Sequence, residues 1–110
     1  MYMKCQQAAQ TLKELGHPTR LSVYRELVKS GRQGLSVGEL QKRLAIPSST
    51  LSHHLSALLS VDLIHQERQG RTLLCRARYE NLDALIAFLT EECCQDDETP
   101  HVDKEDDAAS

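Results

Sequence analysis

Apolar residues recur at helical spacing near both ends of the chain. They lie three and four positions apart over residues 4–15, and again from Pro18, which suits the first turn of a helix, to Ser30. The same period returns at Glu80 and continues along one stripe to Cys93. The pattern therefore predicts two helices near the beginning of the chain and one near its end.

Two further helices, the first of them short, are predicted in the middle of the chain. Ser36 followed by Glu39 is a capping box, because the serine hydroxyl can accept the N3 amide proton while the glutamate accepts the amide proton of the serine. A short helix is expected over residues 37–44. After a tight connection, Ser48 is expected to cap another helix, which ends near Ser60 and carries leucines on one face.

An extended pattern follows these helices. Residues 63–68 and 71–78 predict two short strands, and the Gln-Gly pair between them predicts a turn. A short helix, a second helix and a basic hairpin in this order are typical of a winged helix-turn-helix, which is a DNA-binding fold. The predicted fold class is therefore mainly α with a β-hairpin wing.

The length of 110 residues favours a single domain, which we place at residues 1–94. Residues 95–110 hold seven acidic residues and one lysine, a composition that predicts a disordered acidic tail. A domain of this size buries only about 60% of its unfolded surface, so dimer formation would help it. No nucleophile, base and orienting acid stand at recognisable spacing, and an enzyme is not expected.

The net charge of −3 conceals two regions of opposite charge. Residues 1–79 carry twelve lysines and arginines against five acidic residues, a net charge of +7. Residues 80–110 carry one lysine against eleven acidic residues, a net charge of −10. The basic body favours DNA as the partner, because neutralising phosphates releases counterions and supplies affinity that does not depend on base sequence.

The chain is expected to lie in the cytoplasm, with no contact to a membrane. No apolar run approaches the roughly 18 residues that a membrane span requires, and residues 1–9 lack the apolar core of a signal peptide. In the cytoplasm, the four cysteines are expected to be reduced, metal-binding or redox-active rather than a disulfide framework.

Contacts to DNA are predicted in the second of the two short helices and at the turn of the hairpin. Short hydroxyl side chains let a helix approach base edges closely, and arginines at a wing can follow phosphates or enter the minor groove. The predicted residues are Ser48, Ser49, Thr50, Ser52, His53, Arg68 and Arg71. Arg76 and Arg78 are expected to add charge along the hairpin. The alternative is that these residues only cap the helix and face solvent, and that the hairpin tip is likewise solvated, without contact to DNA.

Three segments of the chain resemble one known family. They are LSVGEL at residues 35–40, STLSHHL at residues 49–55, and RQGR at residues 68–71. Together they are similar to the ArsR/SmtB family of metal- and metalloid-responsive repressors, over about residues 8–94. The resemblance implies a homodimeric winged helix-turn-helix whose first and last helices form the dimer interface. It also implies release from double-stranded operator DNA when an inducer binds.

Two inducer sites of that family are missing from this sequence. One uses a Cys-Val-Cys segment, where this chain has Ser36, Val37 and Gly38. The other is a zinc site on the last helix that requires Asp and His, and this helix has Asp83 without any histidine.

The remaining candidate is the adjacent pair Cys93 and Cys94, which resembles the end of the last helix in an arsenic-responsive subgroup. Soft thiolates suit trivalent arsenic or antimony as the inducer, and no resident cofactor is required. The subgroup has a third cysteine a few residues downstream, and this chain has none there. Either Cys5 completes a three-sulfur site across the dimer interface, or two thiolates bind a monosubstituted arsenical such as methylarsenite. The second route is favoured.

Two other functions stay open at this point. The cysteines could form a redox switch that responds to oxidants or sulfur species through disulfides while the fold still binds DNA. Alternatively, the winged helix could bind a protein instead of DNA, with the acidic tail as the partner site. A steep salt dependence of duplex binding would count against the second alternative.

Overall fold

The computed structural model describes residues 3–97, which form five helices and three strands around one core. The helices are α1 (Cys5–Leu15), α2 (Pro18–Ser30), α3 (Val37–Leu44), α4 (Ser48–Ser60) and α5 (Tyr79–Thr90), and a 3-10 turn (Gly31–Gln33) follows α2. The strands are β1 (Leu35–Ser36), β2 (Ile64–Gln69) and β3 (Thr72–Ala77). The predicted order of helix, helix, short helix, second short helix, hairpin and helix is confirmed.

The sheet is antiparallel with the strand order β1-β3-β2. In the hairpin, Gln69 lies opposite Thr72, which leaves Gly70 and Arg71 as a two-residue turn, and Gly70 has a φ of +63°. Strand β1 was not predicted. It is only two residues long, Leu35 opposite Cys75 and Ser36 opposite Leu74, and two residues are too few to show an alternating period.

The core lies between helices α2, α3 and α4 and the inner face of the sheet. Its fully buried side chains are Val23, Leu27, Leu40, Leu51, Leu58, Leu63, Ile64 and Cys75. Cys75 packs in this core as a small apolar side chain, and Gln66 donates a hydrogen bond to its sulfur. Burial raises the pKa of the Cys75 thiol, which favours its protonated, unreactive form.

Two hydrogen bonds fix the start of α3 in the way the sequence predicts. The Glu39 amide donates to Ser36 Oγ at 3.0 Å, and the Ser36 amide donates to Glu39 Oε1 at 2.9 Å. The Ser36 bonds lower the pKa of the Glu39 carboxyl group, because they stabilise its charged form. Helix α3 begins and ends at the predicted residues.

The predicted cap of α4 is wrong by one position. Pro47 is the N-cap, with φ −62° and ψ 149°, and its carbonyl accepts the Leu51 amide at 3.0 Å. The fixed φ of proline fits the extended conformation that an N-cap requires, so the helix starts directly after it. Ser48 is therefore the first helical residue, and its hydroxyl is available on the exposed surface.

The last helix is shorter than its apolar stripe suggests. Helix α5 ends at Thr90, and a series of turns over residues 91–96 follows, with Cys94 at a φ of +68°. Acidic residues disfavour continuation here, because Glu91 and Glu92 face the negative end of the helix dipole. Cys93 is exposed beyond the helix instead of extending its stripe. Most of the predicted acidic tail, from residue 98 on, lies outside the described residues.

A close approach between the turn after α2 and the wing requires glycine at position 34. An added methyl group there would lie 2.6 Å from the Cys75 carbonyl oxygen, and φ is +71°. At Gly70 φ is similar, but nothing lies within 4 Å of such a methyl group.

We expect Gly70→Ala to lower the free energy of unfolding by about 1 to 2 kcal/mol from backbone strain alone. We expect Gly34→Ala to cost about 3 kcal/mol or more, because the clash adds to the strain. Urea unfolding of both variants checks this, and equal losses would contradict it.

The capping box can be tested against a substitution of opposite sign on the same helix. Ser36→Ala should lower the free energy of unfolding by about 1 kcal/mol, because the Glu39 amide loses its acceptor. Gly38→Ala should raise it by about 0.5 to 1 kcal/mol, since a methyl group there meets only Ser36 Oγ at 3.9 Å. Thermal unfolding monitored by circular dichroism measures both. A Ser36→Ala protein as stable as the wild type would show that the cap contributes nothing.

Candidate nucleic-acid interface and thiol pair

Helix α4 has one buried face and one hydroxyl-rich exposed face. Leu51, His54, Leu55 and Leu58 are buried and hold the helix on the core. The predicted contact residues Ser48, Ser49, Ser52 and His53 are exposed, and Thr50 is half-buried at the edge of the same face. The exposed face therefore offers small donors and acceptors with little bulk, which is what close approach to base edges requires.

The tip of the wing carries the two predicted arginines. Arg68 and Arg71 are both exposed and flank the turn at Gly70. Among residues 3–97, neither forms an ion pair with an acidic side chain within 4.0 Å. Their guanidinium groups are thus available to an external anion such as a phosphate.

The predicted contribution of Arg76 to this basic surface is wrong. Its Nη1 donates to Glu67 Oε1 at 2.5 Å, and its Nε donates to the Arg32 carbonyl at 2.7 Å. The bond from Arg76 also lowers the pKa of the Glu67 carboxyl group, so the pair stays ionised and its net charge is zero. Arg78 is half-buried with an unpartnered Nε and lies at the start of α5 rather than at the tip.

A buried polar cluster lies on the opposite side of α4 from its exposed, hydroxyl-rich face. Arg20 of α2 is 8% exposed and donates from Nε to Nδ1 of His54 at 3.2 Å. Its Nη1 donates to the Glu14 carboxylate at 2.6 Å and to the Glu14 carbonyl at 3.2 Å. Sequence reasoning missed this arginine. The signal was present, because Arg20 shares the helical stripe of the buried residues Tyr24 and Leu27.

The hydrogen bond from Arg20 fixes the protonation state of His54. Arginine is always charged and donates, so Nδ1 must carry a lone pair and the single ring proton is on Nε2. Burial lowers the pKa of His54 from its ordinary value of 6.5, and the neighbouring Arg20, His17 and His53 lower it further. His54 is therefore a neutral residue at pH 7 whose Nδ1 is occupied by the bond from Arg20.

An apolar surface without a partner in the single chain lies on the first and last helices. Leu12 of α1 is 42% exposed, while Ile86 and Leu89 of α5 are 52% and 57% exposed. Helices α1 and α5 contact each other, so these side chains lie on two neighbouring helices. We call Leu12, Ile86 and Leu89 the apolar seam. Exposed leucines and isoleucines grouped in this way mark surfaces that bind another protein.

The predicted thiol site lies at the end of this region. All four cysteines are thiols; Cys93 is exposed, Cys94 is partly buried, and Cys5 is exposed in the first turn of α1. Within residues 3–97, no three side chains of His, Cys, Asp or Glu lie close enough together to hold a metal ion. A single chain thus offers the adjacent pair Cys93 and Cys94, and any third sulfur has to come from elsewhere.

No helix in the described part of the chain has the length and apolar character that a membrane crossing requires. The longest helices, α2 and α4, have 13 residues each.

Comparison with known proteins identifies the family. Residues 15–67 match the family model described as a helix-turn-helix domain. The chain is 35% identical over 89 residues to the HTH-type transcriptional regulator YgaV of Escherichia coli, covering 81% of this chain and 88% of that protein. It is 30% identical over 88 residues to the transcriptional repressor PagR of Bacillus anthracis, covering 80% of this chain and 86% of that protein.

Solved structures agree with these relatives. An ArsR-like transcriptional regulator from Rhodococcus sp. RHA1 superimposes with a TM-score of 0.73 at 26% identity, covering 84% of each chain. A homodimeric winged helix-turn-helix DNA-binding domain from Mycobacterium bovis shares the fold with a TM-score of 0.64 at 24% identity, over 87% of this chain and 89% of that one. The exposed face of α4, the wing and these likenesses lead to one conclusion: the chain belongs to the ArsR family of winged-helix transcriptional regulators, which are DNA-binding proteins and not enzymes.

Proposed function

We propose that this protein is a repressor that binds operator DNA as a homodimer and leaves it when trivalent arsenic or antimony binds Cys93 and Cys94. The observation that carries the metalloid part is the position of two adjacent thiols directly after α5, next to the apolar seam. A ligand bound there can act on the dimer interface. The DNA part is supported by the exposed face of α4 and the unpaired arginines of the wing.

On DNA, α4 is the recognition helix. Its buried leucines orient Ser49, Ser52 and His53 outward, and a helix of this kind enters the major groove with its first residues toward the bases. Arg68 and Arg71 reach past the groove to phosphates or into the minor groove. In a dimer, two recognition helices about 34 Å apart fit an inverted repeat on one face of the duplex.

The dimer forms through the apolar seam. Leu12, Ile86 and Leu89 expose large apolar side chains whose contact with water is unfavourable. A second copy of the chain offers the same surface by twofold symmetry. The Mycobacterium bovis domain, which has the same fold, is homodimeric, and this supports a dimer for the present chain. The DNA affinity of each protomer then depends on the angle that the interface sets between the two recognition helices.

The chemistry of the thiol pair favours a metalloid over a direct disulfide. Adjacent residues joined by a trans peptide have Cα atoms about 3.8 Å apart, which is shorter than the separation in ordinary disulfides. A bridging atom separates the two sulfurs further than an S–S bond of about 2.0 Å does, so it relieves this constraint. Soft thiolates also prefer soft ions such as trivalent arsenic.

The surroundings of the pair select for an uncharged ligand. Glu91, Glu92, Asp96 and Asp97 lie within a few residues of the thiols and give this segment a strong negative charge. The trivalent hydroxide of arsenic is neutral and is tolerated there, whereas the arsenate anion is repelled. Two sulfurs leave one position of the arsenic for a carbon substituent or for a third sulfur, and methylarsenite fits the first case.

Release of DNA follows from a difference in ligand affinity between the free and the DNA-bound geometry of the dimer. A ligand that binds the thiols more tightly in the free geometry of the dimer than in the DNA-bound geometry shifts the population away from DNA. A coupling of about 1 to 3 kcal/mol, which is usual for such regulators, corresponds to a loss of DNA affinity of about 5- to 150-fold.

The thiol assignment is tested with fluorescence anisotropy on a duplex from upstream of the protein's own gene, under reducing conditions. Methylarsenite should release the wild type but not the variant with both Cys93→Ser and Cys94→Ser, because oxygen is a poor ligand for trivalent arsenic. The matched control is Cys5→Ser, which removes an equally exposed thiol and should leave the methylarsenite response intact.

Two results would overturn this assignment. Release of the double variant by methylarsenite would place the sensor at other residues. Insensitivity of the wild type to methylarsenite and arsenite, with release by mild peroxide and a disulfide found at Cys93 or Cys94 by mass spectrometry, would make the pair a redox switch.

The wing contact is tested by the salt dependence of DNA binding. Arg71→Ala should reduce the slope of log affinity against log salt by about 1, because one fewer phosphate is neutralised. Lys13→Ala removes the same charge from α1, away from the recognition face, and should leave the slope unchanged. An unchanged slope in Arg71→Ala would remove the wing from the interface. No binding of any duplex at low salt would favour a protein-binding winged helix instead.

A further inference from the structure

The buried face of α4 has one polar side chain among its leucines, and that side chain is linked to two other helices. His54 accepts from Arg20 of α2 at 3.2 Å, and Arg20 in turn binds the carboxylate of Glu14 in α1 at 2.6 Å. We call Glu14, Arg20 and His54 the relay. It runs from the helix that carries Leu12 of the apolar seam to the residue directly beside the exposed His53.

We propose that the relay holds the recognition helix in its DNA-binding position only while His54 is neutral, so that acid weakens DNA binding. The inference rests on the proposed function insofar as DNA is the ligand whose affinity reports the position of α4. His54, Arg20 and Glu14 are positioning residues. They act by placing α4 and its exposed side chains, and they do not contact DNA themselves.

The geometry explains why a second proton on His54 breaks the relay. Nδ1 is the acceptor for Arg20 Nε–H, and protonation turns that acceptor into a donor facing a donor. It also places a positive charge against the permanently charged guanidinium in a site where His54 is 3% and Arg20 8% exposed. A buried, unpaired charge is costly, so the ring must leave Arg20, and α4 moves with it.

The other groups around His54 do not compensate its charge. The ring of His17, which directly precedes α2, lies 4.8 Å from the His54 ring between centroids, and His53 lies 5.8 Å away on α4. Both rings act, with Arg20, to lower the pKa of His54. Glu14 is the acid of the cluster, and its carboxylate is already bound to Arg20. No charge around His54 therefore stabilises its protonated form.

The expected change of DNA affinity with pH is opposite in sign to the change that surface charges alone produce. Protons that a DNA-binding surface gains in acid make it more positive, and this raises its affinity for phosphates. Burial and Arg20 lower the pKa of His54, so its own protonation follows below about pH 6.5 and removes affinity there. A fall in affinity as the pH drops thus cannot come from surface histidines.

The experiment measures the DNA affinity of the full chain by anisotropy from about pH 7.5 to about pH 5 at constant ionic strength. The probe is a fluorescent duplex that the wild type itself selects from a randomised pool at the upper pH. Far-UV circular dichroism at each pH restricts the comparison to conditions in which the helices are intact. Three proteins are compared: wild type, His54→Gln and His53→Gln.

The wild type should lose affinity in acid, with a limiting slope of about tenfold per pH unit for each His54 proton, or about a hundredfold for a dimer in which both protons are linked to DNA release. His54→Gln keeps an acceptor for Arg20 that does not titrate, so its DNA affinity, whatever its value at the upper pH, should not fall in acid. His53→Gln, the neighbouring control, should still show the fall, because its relay is intact.

Two outcomes would overturn the inference. Wild-type affinity that rises or stays constant in acid, or a fall that persists in folded His54→Gln, would show that His54 does not set the position of α4. If His54→Gln does not fold, nitrogen NMR of the wild-type rings decides, because a His54 that titrates at or above pH 6.5 contradicts the relay. A protein that binds no duplex at any pH fails the proposed function instead.

Discussion

The buried guanidinium of Arg20 is the constraint on which the arrangement of the helices depends. A charge that is 8% exposed is stable only if its donors are satisfied, and its three acceptor contacts come from the carboxylate and the carbonyl of Glu14 and from the ring of His54. These contacts fix α1, α2 and α4 at one point. The surrounding leucines turn one face of α4 toward the core, and the directional bonds of Arg20 narrow the rotation of the helix further.

The rotation of α4 matters because neighbouring residues on a helix face different directions. His54 is held against Arg20, and His53, about 100° further round, is therefore directed to the exposed side with Ser49 and Ser52. The wing is positioned separately. Gly34 lets the chain after α2 approach the backbone of β3 closely, and β1 adds a third strand to the hairpin. One polar cluster and one close backbone contact, both buried, therefore position the exposed face of α4 and the wing.

Local signals in the sequence predicted most of the fold. The bounds of α3 follow from its capping box, and the hairpin follows from two alternating segments around a glycine. Features that depend on long-range contacts were missed. Strand β1 exists only through its pairing with β3, and the bond between Arg20 and His54 joins residues 34 positions apart. The end of α5 was placed too late, because apolar periodicity at Cys93 outweighed the acidic residues that end the helix.

The proposed function requires that ligand binding at the end of α5 and DNA binding at α4 are coupled through one dimer. Calorimetric titration of methylarsenite into the free dimer and into the dimer saturated with its duplex tests this most directly. Coupling is reciprocal, so DNA should weaken methylarsenite binding by the same factor by which methylarsenite weakens DNA binding, about 5- to 150-fold. Equal methylarsenite affinity in the presence and absence of DNA would show that the two sites are not coupled.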